Sequence, residues 1–584
     1  MEEADLVVIG AGWHGLITAK TYLECHPSTK LVVLDAGSSI GGVWAKEHLY
    51  PGLKANNMLG TFEYSDFPMD EATFGVKPGQ HIPGHVVHDY LHKYAEKFGL
   101  YQRIRFESKV ETLERQESGG WVVSFVQGGS RKLLLADKVI VATGLTSEPV
   151  LPNFPGQDTF ETPFFHCRDL LKHSNSLLTT AASVAIFGGT KSAWDAAHAF
   201  AAAGISVDWI IRESGHGPIW MAPPYVTPFK IWLEKLVHTR FLTWFSPCIW
   251  GDSDGFLGIR SFFHRTRLGR GIVDSFWKIL ASDVTGANQY DKHPETKKLK
   301  PWVEAFWVAS SLSILNYPTD FFDYVRNGKI QIHIADITEL SKNAVHLSSE
   351  KVLRPDALIC STGWKHRPSI NFLPEGIDEK LGLPHALKGP EDKLIQQADD
   401  IILHLFPRLK LQPVMNQHYK PLDIGTEMSP PLEEPYRLYR FMIPPAFIDE
   451  RSIAYNGFVQ SITTSLIAQA QALWLTAYLD GSLQLTPAHE DVSVEEKASR
   501  QKQIEWETIL QTQFCKWRHP AGFGKRYPDF VFDALPYIDM LLKDLRLRNH
   551  RKETLLNECF QAYGPEDYKG LVDEWRIKAR ASCI

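Results

Sequence analysis

Six residues near the N-terminus, Gly10-Ala11-Gly12-Trp13-His14-Gly15, carry three glycines at the spacing that lays bare backbone against a pyrophosphate. Gly10 permits the turn, Gly12 lets the backbone approach phosphate without a Cβ in the way, and Gly15 lets the helix pack close on the strand. The helix that follows aims its unpaired amides at the phosphates. Asp35 comes 20 residues after Gly15, the distance at which an acid reaches a ribose hydroxyl. A second run, Gly188-Gly189-Thr190-Lys191-Ser192-Ala193, repeats the pattern with fewer glycines, and Arg212 stands where the first unit has its acid. A carboxylate there repels a 2′-phosphate, whereas a guanidinium pairs with it through two hydrogen bonds. The second turn therefore favours NADPH over NADH, with Lys191 as a further positive contact. The plainer role of Arg212 is a cation solvating a strand end.

These turns need strands and helices to hold them. Leu6 to Ile9 reads as a strand, the stretch to Cys25 as a helix and Leu31 to Leu34 as a second strand, which is a βαβ unit. Val184 to Phe187, an alanine-rich helix to Ala203 and Val207 to Ile211 form another. Two such units imply two nucleotides, or one nucleotide and a decayed copy. The expected fold is α/β, with two Rossmann-like dinucleotide-binding domains, a helical insertion and a helical C-terminal tail. Residues 1–150 and 366–485 are assigned to the first domain, 151–365 to the second with its insertion at about 215–325, and 486–584 to the tail. Seven of the 17 tryptophans lie in the insertion, which suggests packing over an apolar surface. Helix-like stretches are expected at 229–245 and 301–315, and returning strands at 330–334 and 357–360.

The order of motifs resembles the flavin-containing monooxygenases, most closely their fungal branch often found in secondary metabolism. Residues 10–15 match that family's FAD turn, Gly41-Gly42-Val43-Trp44 its Gly-Gly-x-Trp, and Ser65-Asp66-Phe67-Pro68 its Ser-Asp-Phe-Pro. Val141-Ala142-Thr143-Gly144 and Ser361-Thr362-Gly363 are similar to its two Ala-Thr-Gly strand ends. Ile453 to Phe458, with Gln471 and Trp474, is similar to its returning FAD segment. The resemblance covers roughly residues 4–480. It implies FAD held at Gly10, Gly12, Gly15, Asp35, Gly42, Trp44, Gly144 and Gly457, and NADPH at Gly188, Lys191, Ser192 and Arg212. It also implies the reaction: NADPH reduces FAD, O2 adds at flavin C4a, and a small organic substrate takes one oxygen from the hydroperoxide. Counting back from residues 66–68 places Asn56 on the family's active-site asparagine, with Asn57 as the one-residue alternative.

Two departures bear on the substrate. The family's Phe-x-Gly-x-x-x-His-x-x-x-Tyr run falls on residues 160–170, where Phe160 and His166 are kept but Thr162 and Leu170 replace the glycine and the aromatic residue. Baeyer-Villiger enzymes normally carry an aromatic residue at that last place, so oxygenation of nitrogen or sulfur is favoured over insertion beside a ketone. Asp35 replaces the usual glutamate, with a shorter reach and the same chemistry.

Composition removes other classes. A chain of 584 residues fits about two to four domains, and 44% apolar with 22% charged residues is globular. A net charge of −6 lacks the basic excess of a nucleic-acid binder. Seven cysteines without a Cys-x-x-Cys argue against a disulfide scaffold, a zinc ribbon and a dithiol reductase. The acidic N-terminus and the lack of an apolar run of about 18 residues point to the cytosol and to no integral membrane segment. His81, His85, His88 and His92 have helical ligand spacing but no carboxylate-rich partner segment, so no metal is expected. The remaining rivals are an uncoupled NADPH oxidase that releases H2O2 and an NADPH-dependent flavin reductase.

Overall fold

The computed structural model describes residues 1–226, 230–308, 312–385, 392–413, 416–425, 434–483 and 494–582. Strand Glu2–Ile9, helix Trp13–Cys25 and strand Leu31–Leu34 open the chain. Leu6, Val8, Val33 and Leu34 are fully buried, because a parallel strand between neighbours is covered on both faces. Leu6 lies opposite Leu31 on one side and Lys138 on the other. The eight-stranded sheet built around this unit runs Asn371–Leu373, Ser108–Arg115, Trp121–Gln127, Ser130–Val141, Glu2–Ile9, Leu31–Leu34, Ile104–Arg105, and Ile453–Tyr455 pairs with the end of Ser130–Val141. Strands more than 300 residues apart thus meet at one edge of the first turn.

The second sheet has five strands, all parallel, in the order Phe164–His166, Leu358–Cys360, Ser183–Phe187, Ser206–Ile211, Ile330–Ile334. Helix Lys191–Ala202 follows its glycine turn, and its alanines at 193, 196 and 197 are fully buried, which lets it lie close to the sheet. The expectation of two Rossmann-like units in one α/β chain holds.

The insertion differs from its sequence reading. The described residues of 301–315, which are 301–308 and 312–315, form no long helix; they make a 3-10 turn at Ala305–Trp307 and a strand, Leu312–Ile314, paired in parallel with Trp220–Ala222. Strand pairing outside the segment, invisible to local periodicity, decides the matter. In 229–245 only the short helices Leu233–Val237 and Arg240–Thr243 form, and Phe229 lies outside the described residues. The long helices are Leu257–Arg265 and Arg267–Ala287.

The C-terminal helices are part of the body. Helix Ala534–Asp544 lies on Thr464–Leu479, which itself lies on Trp13–Cys25, and one apolar core runs through all three and the insertion. Trp220, Trp250, Trp277 and Trp307 belong to that core, so most of the insertion's tryptophans pack against protein. Arg240, fully buried, binds the carboxylates of Asp539 and Glu558 and the carbonyl of Asn549, fastening insertion to tail.

Candidate active site

The two glycine turns share one construction. Gly10 has φ +112°, and a Cβ there would stand 2.5 Å from the Ala142 carbonyl oxygen; at Gly188, φ +124°, a Cβ would stand 2.2 Å from that of Ser361. Each turn is thus pressed against its own Thr-Gly strand end. A Cβ at Gly15 would lie 1.9 Å from the Gly10 oxygen, so helix and strand could not keep their spacing.

Gly12 is different. Its backbone is extended, φ −89° and ψ −168°, and an added Cβ would meet nothing closer than Gly42 Cα at 3.7 Å. The fold itself does not require glycine at this position. The bare backbone leaves its open side clear, and three further features fit a dinucleotide pyrophosphate there. Helix Trp13–Cys25 has no side-chain cap and no acid in its first turn. Gly42, φ +62°, faces Gly12 with bare backbone. The Thr143 hydroxyl, at the strand end under Gly10, is buried and has no hydrogen-bond partner among the described residues.

Asp35 closes this turn, accepting from the Ala11 amide at 2.6 Å and the Gly37 amide at 2.7 Å. Burial pushes its carboxyl up against those two amides. Trp44 packs edge-on against Phe62, and its carbonyl is 3.1 Å from His88 Nδ1. Gly144 has φ +68° and open space on its Cβ side. Gly457, φ +82°, lies against the His14 ring, and His14 Nδ1 bonds Asn456 Oδ1 at 2.8 Å, tying the returning segment to the first turn. Burial lowers the His14 pKa to about 4, so the ring is neutral at pH 7.

At the second turn, helix Lys191–Ala202 also starts without a side-chain cap. Thr190 Oγ1 lies 3.1 Å from Ser361 Oγ, and the Ser192 hydroxyl bonds the buried Cys167 thiol. Lys191 is already engaged: its ammonium binds Asp195 and donates to Asn316 Oδ1 at 3.1 Å. Asp195 also accepts from the Tyr50 and Tyr317 hydroxyls, both at 2.8 Å. Arg212 donates to the Lys420 carbonyl and to Ser214 Oγ, and Asp336 lies 3.8 Å from its Nε. Beside it opens a cleft of about 370 Å³ lined by Glu213, Ser214, Asp336, Tyr419 and Lys420 among others. His216 stacks on Tyr419 at its edge, 4.6 Å between ring centres.

Asn56 and Asn57, on strand Lys54–Met58, line an enclosed apolar cavity with Leu233, Val237, Leu312, Ile314 and Ile462. Its volume of about 20 Å³ is room for one water. Asn56 Oδ1 accepts from Ser313 Oγ at 2.9 Å and from the Ile314 amide at 3.5 Å, while its Nδ2 makes no hydrogen bond among the described residues. Asn57 is the reverse, with Nδ2 committed to Glu234 Oε1 and to the Ile462 carbonyl at 3.1 Å. Asn316 Nδ2 donates to the Lys54 and Ala55 carbonyls, both at 3.2 Å, linking this strand to Lys191.

A model of the family described as flavin-binding monooxygenase-like matches residues 3–245. FAD-dependent monooxygenase rstn6 of Aspergillus nomiae is 35% identical over 98% of both chains. FAD-dependent monooxygenase DEP4 of Alternaria brassicicola is 33% identical over all of this chain and 96% of its own. The chain belongs to the flavin-binding monooxygenase family.

In fold, this flavin-binding monooxygenase is similar to cyclohexanone monooxygenase of Rhodococcus sp. Phi1 bound to NADP+, with TM-score 0.58 and 16% identity over 93% of this chain and 98% of that one. It is likewise similar to polycyclic ketone monooxygenase of Thermothelomyces thermophila, with TM-score 0.57 and 14% identity over 93% and 88%.

The family's motif positions also find structural partners in this monooxygenase. Asp66 is ion-paired with Lys20 of the first helix at 2.5 Å, and Ser65 Oγ donates to the Tyr568 carbonyl of the tail at 3.1 Å. His166 packs edge-on against Trp364 beside Gly363, and burial lowers its pKa to about 4. Sequence reasoning gave no role to Glu234, Ser313 or Asn316, because no local motif marks a residue that reaches the site from an insertion. Among the described residues no group of three His, Cys, Asp or Glu is placed to hold a metal, and no helix is long and apolar enough to cross a membrane.

Proposed function

We propose that this flavin-binding monooxygenase oxygenates nitrogen or sulfur of a small organic substrate at the Asn56 end of its cavity, as an enzyme of secondary metabolism. It is an FAD- and NADPH-dependent monooxygenase. FAD, reduced by NADPH, supplies the activation of O2 from which one oxygen atom reaches the substrate. The chain's part is to bind, orient and exclude water.

Residues 1–150 and 366–485 hold FAD in this reading, through Gly10, Gly12, Gly15, Asp35, Gly42, Trp44, Gly144 and Gly457. Residues 151–365 hold NADPH, with Gly188 and Ser192 on its pyrophosphate and Arg212 on its 2′-phosphate. Arg212 and Lys420 face Glu213 and Asp336 at this cleft, and a phosphate would give both cations a further anionic partner. Lys191 reaches the nucleotide only by leaving Asp195, so it serves first as the link between the second turn and the strand of Asn56. Residues 486–584 brace the whole.

The observation that carries the reading is the free Nδ2 of Asn56. An amide anchored through its oxygen presents a fixed donor to the cavity, and a fixed donor steadies developing negative charge on an oxygen. The lining around it is mostly aliphatic and its volume of about 20 Å³ keeps out bulk water, so a neutral organic substrate reaches Asn56 by widening the cavity. The proposed setting is the cytosol, with a small molecule and O2 as partners and no nucleic acid.

The test is to reduce the purified protein with NADPH and NADH in turn, then add O2 with methyl phenyl sulfide, a tertiary amine or cyclohexanone. Sulfoxide or N-oxide supports the reading. Lactone alone overturns it in favour of Baeyer-Villiger insertion, and peroxide alone makes the protein an NADPH oxidase.

A further inference from the structure

Glu234 is the one carboxyl among the described residues that line this mostly apolar cavity, and it comes from the insertion. Its residue is 4% exposed, yet it accepts from Asn57 Nδ2, from the Met58 amide at 3.3 Å, and from the side chains of Thr61 and Trp232. Every one of those donors except Trp232 lies on the first domain, so one carboxyl fastens insertion helix Leu233–Val237 to the strand and turn that carry Asn56. We propose, on the functional reading above, that Glu234 is a positioning residue for oxygen transfer at Asn56, and that its charged form is the one that clamps the cavity floor. A charged acceptor binds the Asn57 and Met58 donors about twice as strongly as a neutral one. Asn57 then holds still, and Asn56 beside it on the same strand keeps its donor aimed into the cavity.

The charge is costly to keep. Burial pushes the Glu234 pKa up to about 7. The titratable groups on the elements around it are His81, across from Met58, and His238, one turn along its own helix with Nε2 2.8 Å from Thr463 Oγ1. Burial lowers both imidazoles to about 4, so neither changes charge near neutrality. Lys54 and Lys235 are the nearby cations, and segments Leu312–Ile314 and 462–463 bring no titratable side chain. A pH response near 7 at this cavity therefore belongs to Glu234. The linkage has a definite sign: a carboxyl raised from 4.5 to about 7 contributes stability below 4.5 and loses it as pH rises through 7.

The experiment measures reoxidation of the NADPH-reduced holoenzyme by O2 between about pH 6 and 8, together with Tm, for wild type, Glu234→Gln and Glu234→Leu. Wild-type reoxidation with loss of peroxide should slow on the order of fivefold as pH rises through about 7. Glu234→Gln, which keeps the acceptor but cannot charge, should be pH-independent at the wild-type low-pH rate, and Glu234→Leu faster throughout. The Tm advantage of Glu234→Gln over wild type should widen as pH rises. A flat wild-type profile overturns the proposal without any variant, as does a Glu234→Gln profile with the wild-type midpoint or a Tm gap that ignores pH. Absence of any oxygenated product from sulfide, amine or ketone at every pH defeats the functional reading and this proposal together, whereas product with no pH dependence defeats this one alone.

Discussion

Two neighbouring asparagines with the same side chain occupy opposite roles because of what each has already bonded. Asn57 donates its amide hydrogens to Glu234 and Ile462, and the Asn56 side-chain oxygen accepts from the Ser313 hydroxyl and the Ile314 amide. Only Asn56 has a donor left for chemistry. A preorganised donor of this kind is worth about 3 kcal/mol, so Asn56→Ala should leave anaerobic flavin reduction by NADPH intact while product falls roughly 100-fold and electrons leave as H2O2. Asn57→Ala should instead lower Tm along with activity, since it unties Glu234; stopped-flow reduction and a product-to-NADPH ratio separate the two. Arg212 makes a second residue-level case. Its charge is spent on a carbonyl and a serine that a 2′-phosphate would replace. Arg212→Ala should raise KM for NADPH by about one to two decades and leave that for NADH nearly unchanged, matching a lost contact of about 1.5–3 kcal/mol. Equal losses with both nucleotides would mean damage to the fold.

At the scale of elements, the glycines of the first turn divide by what demands them. Gly15 is required by the packing of helix Trp13–Cys25 on strand Glu2–Ile9, whereas nothing in the chain crowds a Cβ at Gly12, which on the proposed reading lies against the FAD pyrophosphate. Gly12→Val should therefore fold with the Tm of the FAD-free wild type and fail to retain FAD, read from the absorbance of the purified protein. Gly15→Ala should lose about 1–3 kcal/mol even without FAD, because the new methyl overpacks the turn. A Gly12→Val protein that stays fully yellow would remove the pyrophosphate from this turn. Both βαβ units were legible in the sequence because each glycine turn sits between apolar runs of the right length. The insertion was not, since Leu312–Ile314 becomes a strand only through Trp220–Ala222, some 90 residues earlier in the chain.

Across the whole molecule, the tail and the insertion form one buttress behind helices Thr464–Leu479 and Trp13–Cys25. Arg240, Asp539 and Glu558 meet where water cannot reach, so Arg240→Met leaves two buried carboxylates without their cation and should cost about 3–5 kcal/mol in urea unfolding. Truncation before Ala534 should be worse still, since the helix it removes covers Thr464–Leu479. The sequence by itself determined the two glycine turns and the strand and helix behind each, and singled out Asn56 and its neighbour, because all of these are written in spacings of fewer than 40 residues. Only the tertiary structure shows that Asn57 has its amide hydrogens bonded while Asn56 keeps its own unbonded among the described residues, places Glu234 against Asn57, puts Lys191 on Asn316 and joins the tail to the core. Those outcomes depend on side chains separated by about 125 to 400 residues in the chain, and no local pattern of residue types can say which buried donor will meet which acceptor.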